Sequence, residues 1–422
     1  MTAATLWWHE ARLQLSRNSV RILLLLAAVL SAASVYLGHV EVHQQRTTID
    51  QLKALDVQER THAWQQYSDW GDIAYYGFHY TYNTPSSLAF AALGQRDILP
   101  WQHRVRMLAL EGQIYESDPT NPELAVLGRL DFALVASVLL PLLAIMLLHD
   151  VKAGERSAGR EGLLLATATG AGLWGRRVWV LAALLGLCVL LPLWIGAAFN
   201  GTSVLALLAA TLAVVLHLAF WSALVLWFAR GDATAEVTAC RLVGLWFVLA
   251  IAMPLLGRLA IIAATPLPES GEILMQQREV VNAAWDKPKA ATMEPFTAAN
   301  PEWREHATIT APFEWKWYYA FQQVGDEATA PLVARYRAGI VKREQAAWWL
   351  GLLSPPLLLN KALTCLANTD LSAALAYEDA VREFHAAMRH FYYPLLFRDI
   401  PFDAGLLRDH PEFQERPAVC AF

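Results

Sequence analysis

The residues able to do chemistry are few and scattered. His39 and His43, in HVEVH, stand four apart and would share one helix face, the spacing of a two-point metal grip. No third ligand lies near them, so a solvated helix start is the competing reading. His217 sits inside one apolar run (TLAVVLHLAFW) and Arg258 near the end of another (LLGRLAIIAA). An ionisable residue in such a run is costly and raises the hypothesis of a transport pathway. Helix packing for His217 and snorkelling for Arg258 are the simpler alternatives. There is no G-x-x-x-x-G-K-[ST], no H-E-x-x-H and no G-x-S-x-G. The expectation is a non-enzymatic chain with no cofactor or metal of its own; if ATP drives it, a separate subunit binds the ATP and Mg. The densest charge cluster is HDVKAGERSAG (149–159), at the mouth of an uncharged run, FALVASVLLPLLAIMLL.

Composition says what must position these residues. Hydrophobic residues make up 56% of the 422 and charged ones 17%, which is apolar for a soluble domain. The 17 tryptophans suit membrane interfaces, and a net charge of −5 argues against a nucleic-acid partner. Four cysteines without CxxC spacing make neither a disulfide scaffold nor a zinc site. Five runs reach bilayer length: 20–38, 131–149, 178–199, 203–229 and 242–263. The expected class is an all-α polytopic membrane protein with about five transmembrane helices and two mainly helical extracytoplasmic domains.

Lys and Arg in the short flanks orient the runs. Arg12, Arg17 and Arg21 precede the first run. Lys152, Arg156, Arg160, Arg176 and Arg177 lie between the second and third, and Arg230 and Arg241 between the fourth and fifth. The NGTS turn at 200–203 has none. This puts the N-terminus, 150–177 and 230–241 in the cytoplasm, and 39–130 and 264–422 outside. Residues 1–19 read as an amphipathic helix on the inner leaflet of the bilayer. Within the outer segments, the aromatic patch WGDIAYYGFHYTY (70–82) is either a binding surface or a small core. VNAAWDKPKAATMEPFTAANPEW reads as a surface loop, and 313–350 and 370–393 as helices. AAWWLGLLSPPLLLNKALTCLA (346–367) is the one topological ambiguity. Its apolar run is broken by Pro355–Pro356 and fits an interfacial or buried helix better than a span. With the C-terminus outside, Cys365 and Cys420 lie in an oxidising compartment and can pair.

GERSAG and its surroundings resemble the cytoplasmic pattern D-x-x-S-x-E-R-E-x-G-T-L-x-L-L-L of ABC-2-type transporter permeases. Asp150, Gly154, Glu155, Arg156 and Gly159 match it, followed by Leu163–Leu165. The chain departs at Ser157, where a second Glu is usual, and at Arg160, where Thr follows the Gly. Three further stretches resemble the subgroup with large extracytoplasmic insertions and a poorly characterised C-terminal domain: PSSLAFAALGQRDILP (85–100), NPELAVLGRLDFALVASVLLPLL (121–143) and LSPPLLLNKALTCLANTD (353–370). That subgroup implies a further span after a segment like HPEFQERP (410–417). The resemblance implies a permease subunit in a bacterial cytoplasmic (inner) membrane; the five-run topology puts the C-terminus in the periplasm. It implies that 150–177 is a coupling loop for a P-loop ATPase subunit, that Glu10 and Arg12 touch the same partner, and that a second identical or related permease chain completes an exporter. Transmission of motion to a periplasmic partner, without transport, is the alternative.

Overall fold

A single helix of 49 residues, Asn18–Gln66, carries the chain through the apolar bundle and out beyond it, about 73 Å end to end. The computed structural model describes residues 3–115, 130–166 and 172–416. Five helices among these are long and apolar enough to cross a membrane: Asn18–Gln66, Phe132–Ser157, Leu173–Asn200, Val204–Phe228 and Ala235–Ala264, hereafter spans 1 to 5. The only sheet among the described residues is one antiparallel pair, His79–Tyr82 with Gln102–Val105, registering His79 with Val105. The chain is an all-α polytopic membrane protein.

Span 1 buries one stripe at steps of three and four: Val20, Leu24, Ala27, Ser31, Ser34, Gly38 and Val42. Its middle members are small, which lets span 3 come close. Ser31 Oγ donates to the Val189 carbonyl at 2.7 Å. At the far end, six fully buried residues, Leu88–Leu93, form no regular helix yet pack into the bundle core. A Cβ on Gly38 would stand 1.9 Å from the Phe90 carbonyl oxygen, and one on Gly196 would stand 2.6 Å from the Phe90 ring.

The segments following spans 1 and 5 lie on one side of the bundle and share one hydrophobic core. Trp70, Ile73, Met107 and Leu110 from the first meet Phe296, Trp317, Phe321 and Tyr392 from the second. The aromatic patch of 70–82 belongs to this core: Trp70 is 3% exposed and donates to the Ile400 carbonyl at 3.0 Å. The surface loop expected at 281–303 is corrected: helix Ser270–Asp286 takes in its first residues. Lys289–Ala299 is a helix despite Pro295, because Met293 and Phe296, three apart, both bury in the core. Asp326 ties the two segments together. Its carboxylate accepts from Leu110 N, Gln277 Nε2 and Arg389 NH2 at 2.7, 2.6 and 2.5 Å.

The ambiguous 346–367 stretch is a hairpin, and neither of its arms crosses the bundle. Helix Trp315–Leu353 starts in the insertion core and continues beside span 5, where Arg343 donates to the Thr265 carbonyl. Ser354 ends it, caps the returning helix Pro355–Leu366 and donates to the Leu249 carbonyl at 2.7 Å, near the middle of span 5. Leu359 and Leu363 of the returning arm bury in the bundle core.

Gly38→Ala should cost about 2–3 kcal/mol, because the Phe90 carbonyl is backbone and cannot step aside. Gly244→Ala, in open space on span 5, should change nothing. Thermal unfolding midpoints in detergent micelles compare the two.

Burial, reinforced by Arg60, lowers His410 to about 4, and burial with Arg382 nearby lowers His103 to about 4. Burial also holds His79 and His385 well below the ordinary value of 6.5. The unfolded chain therefore takes up these protons first. Stability is complete above about pH 6.5 and is lost as pH falls through about 4, by up to roughly 3 kcal/mol for each of His103 and His410. Tryptophan-monitored unfolding should shift to milder conditions between pH 7.5 and 5, and His410→Leu should flatten part of that slope.

Candidate functional site

At the other end of the bundle, the N-terminal helix Ala3–Leu15 is amphipathic in an unusual sense. Its buried stripe is polar, Glu10 and Gln14, with Gln14 Nε2 donating to Glu10 at 2.8 Å. Its exposed side carries Trp7, Trp8 and Leu13. A helix with this pattern lies flat at a bilayer surface, aromatic side to lipid and polar side to protein. The chain then turns at Ser16–Arg17 into span 1, and Arg21 Nε clips the turn by donating to the Leu15 carbonyl at 2.5 Å.

The polar stripe faces Arg177, four residues into span 3 and only 4% exposed. Its Nε donates to Glu10 Oε1 at 2.8 Å and its NH1 to Glu155 Oε1 at 2.9 Å. Its guanidinium lies 5.5 Å from the Trp174 ring centre. Glu155 also accepts from Arg160 Nε at 2.7 Å. One buried cation thus holds two carboxylates from segments about 150 residues apart in sequence.

The 150–166 segment is clamped further along its length. Asp150 pairs with Arg17 at 3.6 Å, a half-exposed contact. Gly154 sits over Asp150, and a Cβ there would lie 3.6 Å from that carboxylate. Arg156 reaches the turn between spans 4 and 5, donating to Asp232 at 2.9 Å and to the Ala233 carbonyl. Gly159 ends the short helix Ala153–Ser157 with φ of +68°, while Arg160 N returns to the Glu155 carbonyl at 2.9 Å. That left-handed position is strained for any residue with a side chain. Helix Glu161–Leu165 follows with no buried residue; Leu163 is 73% exposed. Residues 167–171 of the expected loop lie outside the described residues.

The structure thus brings Glu10, Asp150, Gly154, Glu155, Arg156 and Gly159 together, with Glu155 and Arg156 turned to partners within the chain. The surface left open is formed by Arg12, Arg160, Leu163 and Leu165. Arg177 is the hub that sequence reasoning counted only as one more flanking cation. Its signal was periodicity: Arg177, Leu181 and Leu185 fall on one buried helix face.

The remaining candidates stand apart. His217 is buried in span 4, its Nε2 3.2 Å from the Ser137 carbonyl and its ring edge-on to Trp221. Arg258 is exposed on span 5. His39 and His43 stack 6.4 Å apart, with His39 Nδ1 3.1 Å from Asn200 Nδ2. Among the described residues no cluster of three or more His, Cys, Asp or Glu could hold a metal. Cys365 is buried and disulfide-bonded, and Cys188 and Cys240 are free. Cys420 lies outside the described residues.

Residues 271–416 match the family model described as a domain of unknown function, DUF3526. No curated protein and no solved structure matches the chain. The matched part comprises most of the second insertion, including the hairpin.

Breaking the Arg177 cluster should expose its cost. Arg177→Met leaves two carboxylates facing each other and should destabilise by about 3–5 kcal/mol; Glu155→Gln should cost less. The double variant should fall well short of the sum, since both changes dismantle one interaction. Chemical unfolding of the four proteins in micelles completes the cycle.

Proposed function

We propose that this chain is the membrane subunit of an ABC-2-type transporter, moved by a separate P-loop ATPase that docks on the N-terminal face. The observation that carries the reading is the Glu10–Arg177–Glu155 cluster. It welds the N-terminal helix, the 150–166 segment and the start of span 3 into one body, so a push on the exposed helix Glu161–Leu165 moves the spans instead of bending a loop. The chain carries no P-loop of its own. The asymmetry of flanking Lys and Arg supports a cytoplasmic position for this face, with both insertions outside an inner membrane. A second permease chain, identical or related, completes the pathway, and export is the expected direction.

A second reading, transmission of motion to a periplasmic partner without transport, draws support from span 1. This continuous helix starts beside the N-terminal cluster and ends in the insertion domain, the form of a push-rod. The two readings share the ATPase and differ in what is moved.

Capture of tagged chain from native membranes tests the shared premise. Wild type should bring down a P-loop ATPase. Leu163→Asp and Arg160→Glu, changes on the open surface, should reduce its recovery at least ten-fold while the chain still elutes as a single species. Recovery of no ATPase with wild type would sink both readings. ATP-dependent change in cysteine labelling on the insertions, without substrate accumulation in vesicles, would favour the second.

A further inference from the structure

Where the hairpin meets the insertions, two cavities of different character share a wall. One, about 380 Å³, is the more polar of the two and mixes leucines with Asp97, Asp131, Asn360, Lys361 and Asp370. The other, about 410 Å³, is apolar and lined by Trp348, Trp349, Leu352 and Leu375. Glu344 and Leu371 line both. Each falls in the usual size range of small-ligand pockets, roughly 300–1,000 Å³. We propose that together they bind one bilayer lipid, an amphiphile with a zwitterionic, amine-bearing headgroup in the polar chamber and an acyl chain in the groove.

Position argues for a lipid. The groove lies along the hairpin's first arm, whose Trp349, Leu352 and Leu353 are 73%, 61% and 65% exposed. That face continues into exposed Leu255, Leu256 and Leu259 of span 5, which is membrane surface. Lys361 follows the tip residue Ser354 up the returning arm by about 10 Å, and Asp131 caps the start of span 2, so the polar chamber lies toward the membrane boundary. The groove begins beside it at Leu371 and Leu375 and runs down the first arm to Trp349 and Leu352, toward the hydrocarbon. Lys361 marks the divide: its ammonium pairs with Glu344 and lies 4.9 Å from the Trp348 ring centre.

Charge selects the headgroup. Among the described lining residues other than Asp97, the carboxylates of Asp131, Glu344 and Asp370 stand with one ammonium, that of Lys361. A purely anionic headgroup would meet mostly like charge. A zwitterion can set its phosphate against Lys361 and its own ammonium among the carboxylates of Asp131 and Asp370. Lys361 and Glu344 are held against each other until the headgroup intervenes. None of these residues lies on the N-terminal face, so the site stands independently of the ATPase reading.

Native mass spectrometry of the full chain in detergent tests this with three probes: dioleoyl phosphatidylethanolamine, dioleoyl phosphatidylglycerol and soluble phosphoethanolamine. Wild type should retain one phosphatidylethanolamine at least ten-fold more often than phosphatidylglycerol, and no phosphoethanolamine. Leu375→Trp, which fills the groove, and Lys361→Gln/Glu344→Gln, which removes the pair together, should each lower occupancy at least ten-fold. Val204→Trp, at an exposed position on span 4, should not. If the paired variant fails to fold, Leu375→Trp alone decides. Equal retention of the two lipids, unchanged occupancy in Leu375→Trp, or capture of phosphoethanolamine by itself would each overturn the proposal. Capture of the ATPase by Leu375→Trp should equal wild type, which keeps the two proposals separable.

Discussion

The insertion side of the molecule depends on how closely span 1 can approach Phe90. Backbone at membrane depth has no water to bond, so a non-helical stretch there survives only if its polar groups are served by protein. Leu88–Leu93 meets that condition. Thr202 donates to the Ser87 carbonyl just before it, Ala133 N to Ala91 and Thr369 to Ala92, while Asp131 accepts from Leu93 N. Those partners come from the turn after span 3, the start of span 2 and the end of the hairpin. The plug therefore fastens three parts of the structure at once, and Gly38 and Gly196 leave the room for it.

Deeper in the bundle, cross-helix bonding is arranged through two π-helical turns, Val135–Leu139 in span 2 and Val248–Ala252 in span 5. Carbonyls in and beside these turns accept side chains from other elements: Ser137 from His217, Val138 from Trp246, and Leu249 from Ser354. The widened turns thus join span 4 to span 2, span 2 to span 5, and span 5 to the hairpin. His217 serves this joinery, set between a backbone carbonyl and an indole edge. Buried ion pairs lie instead toward the two ends, around Arg177 on one side and Asp326 on the other. There, each buried ion is held by partners from several segments.

Much of the fold was legible in the sequence, and the reasons are local. The five apolar runs and the helices near 313–350 and 370–393 all follow from hydropathy or periodicity over about 20 residues. Pro355–Pro356 correctly marked a break. Lys289–Ala299 was misread because Pro295 and its polar neighbours outweighed the short Met293–Phe296 spacing, and only the core those two enter makes the helix worthwhile. The aromatic patch at 70–82 left two readings open, since the pattern of a small core and that of a binding surface are alike until the second insertion closes over it. Glu155 and Arg156 stood out by motif, but a motif does not say which way a side chain turns.

By itself, the sequence determined the class of the protein, because burying a backbone in hydrocarbon demands long uninterrupted apolar helices, and such runs are visible one segment at a time. It also determined the absence of a P-loop and the asymmetry of flanking Lys and Arg. Only the tertiary structure decided that Arg177 holds Glu10 and Glu155, that two insertions separated by four spans share one core, and that the hairpin folds back at Ser354. Each of these depends on meetings between residues far apart in the chain. A buried charge or an amphipathic face specifies that it needs a partner, and the path of the whole chain chooses which one.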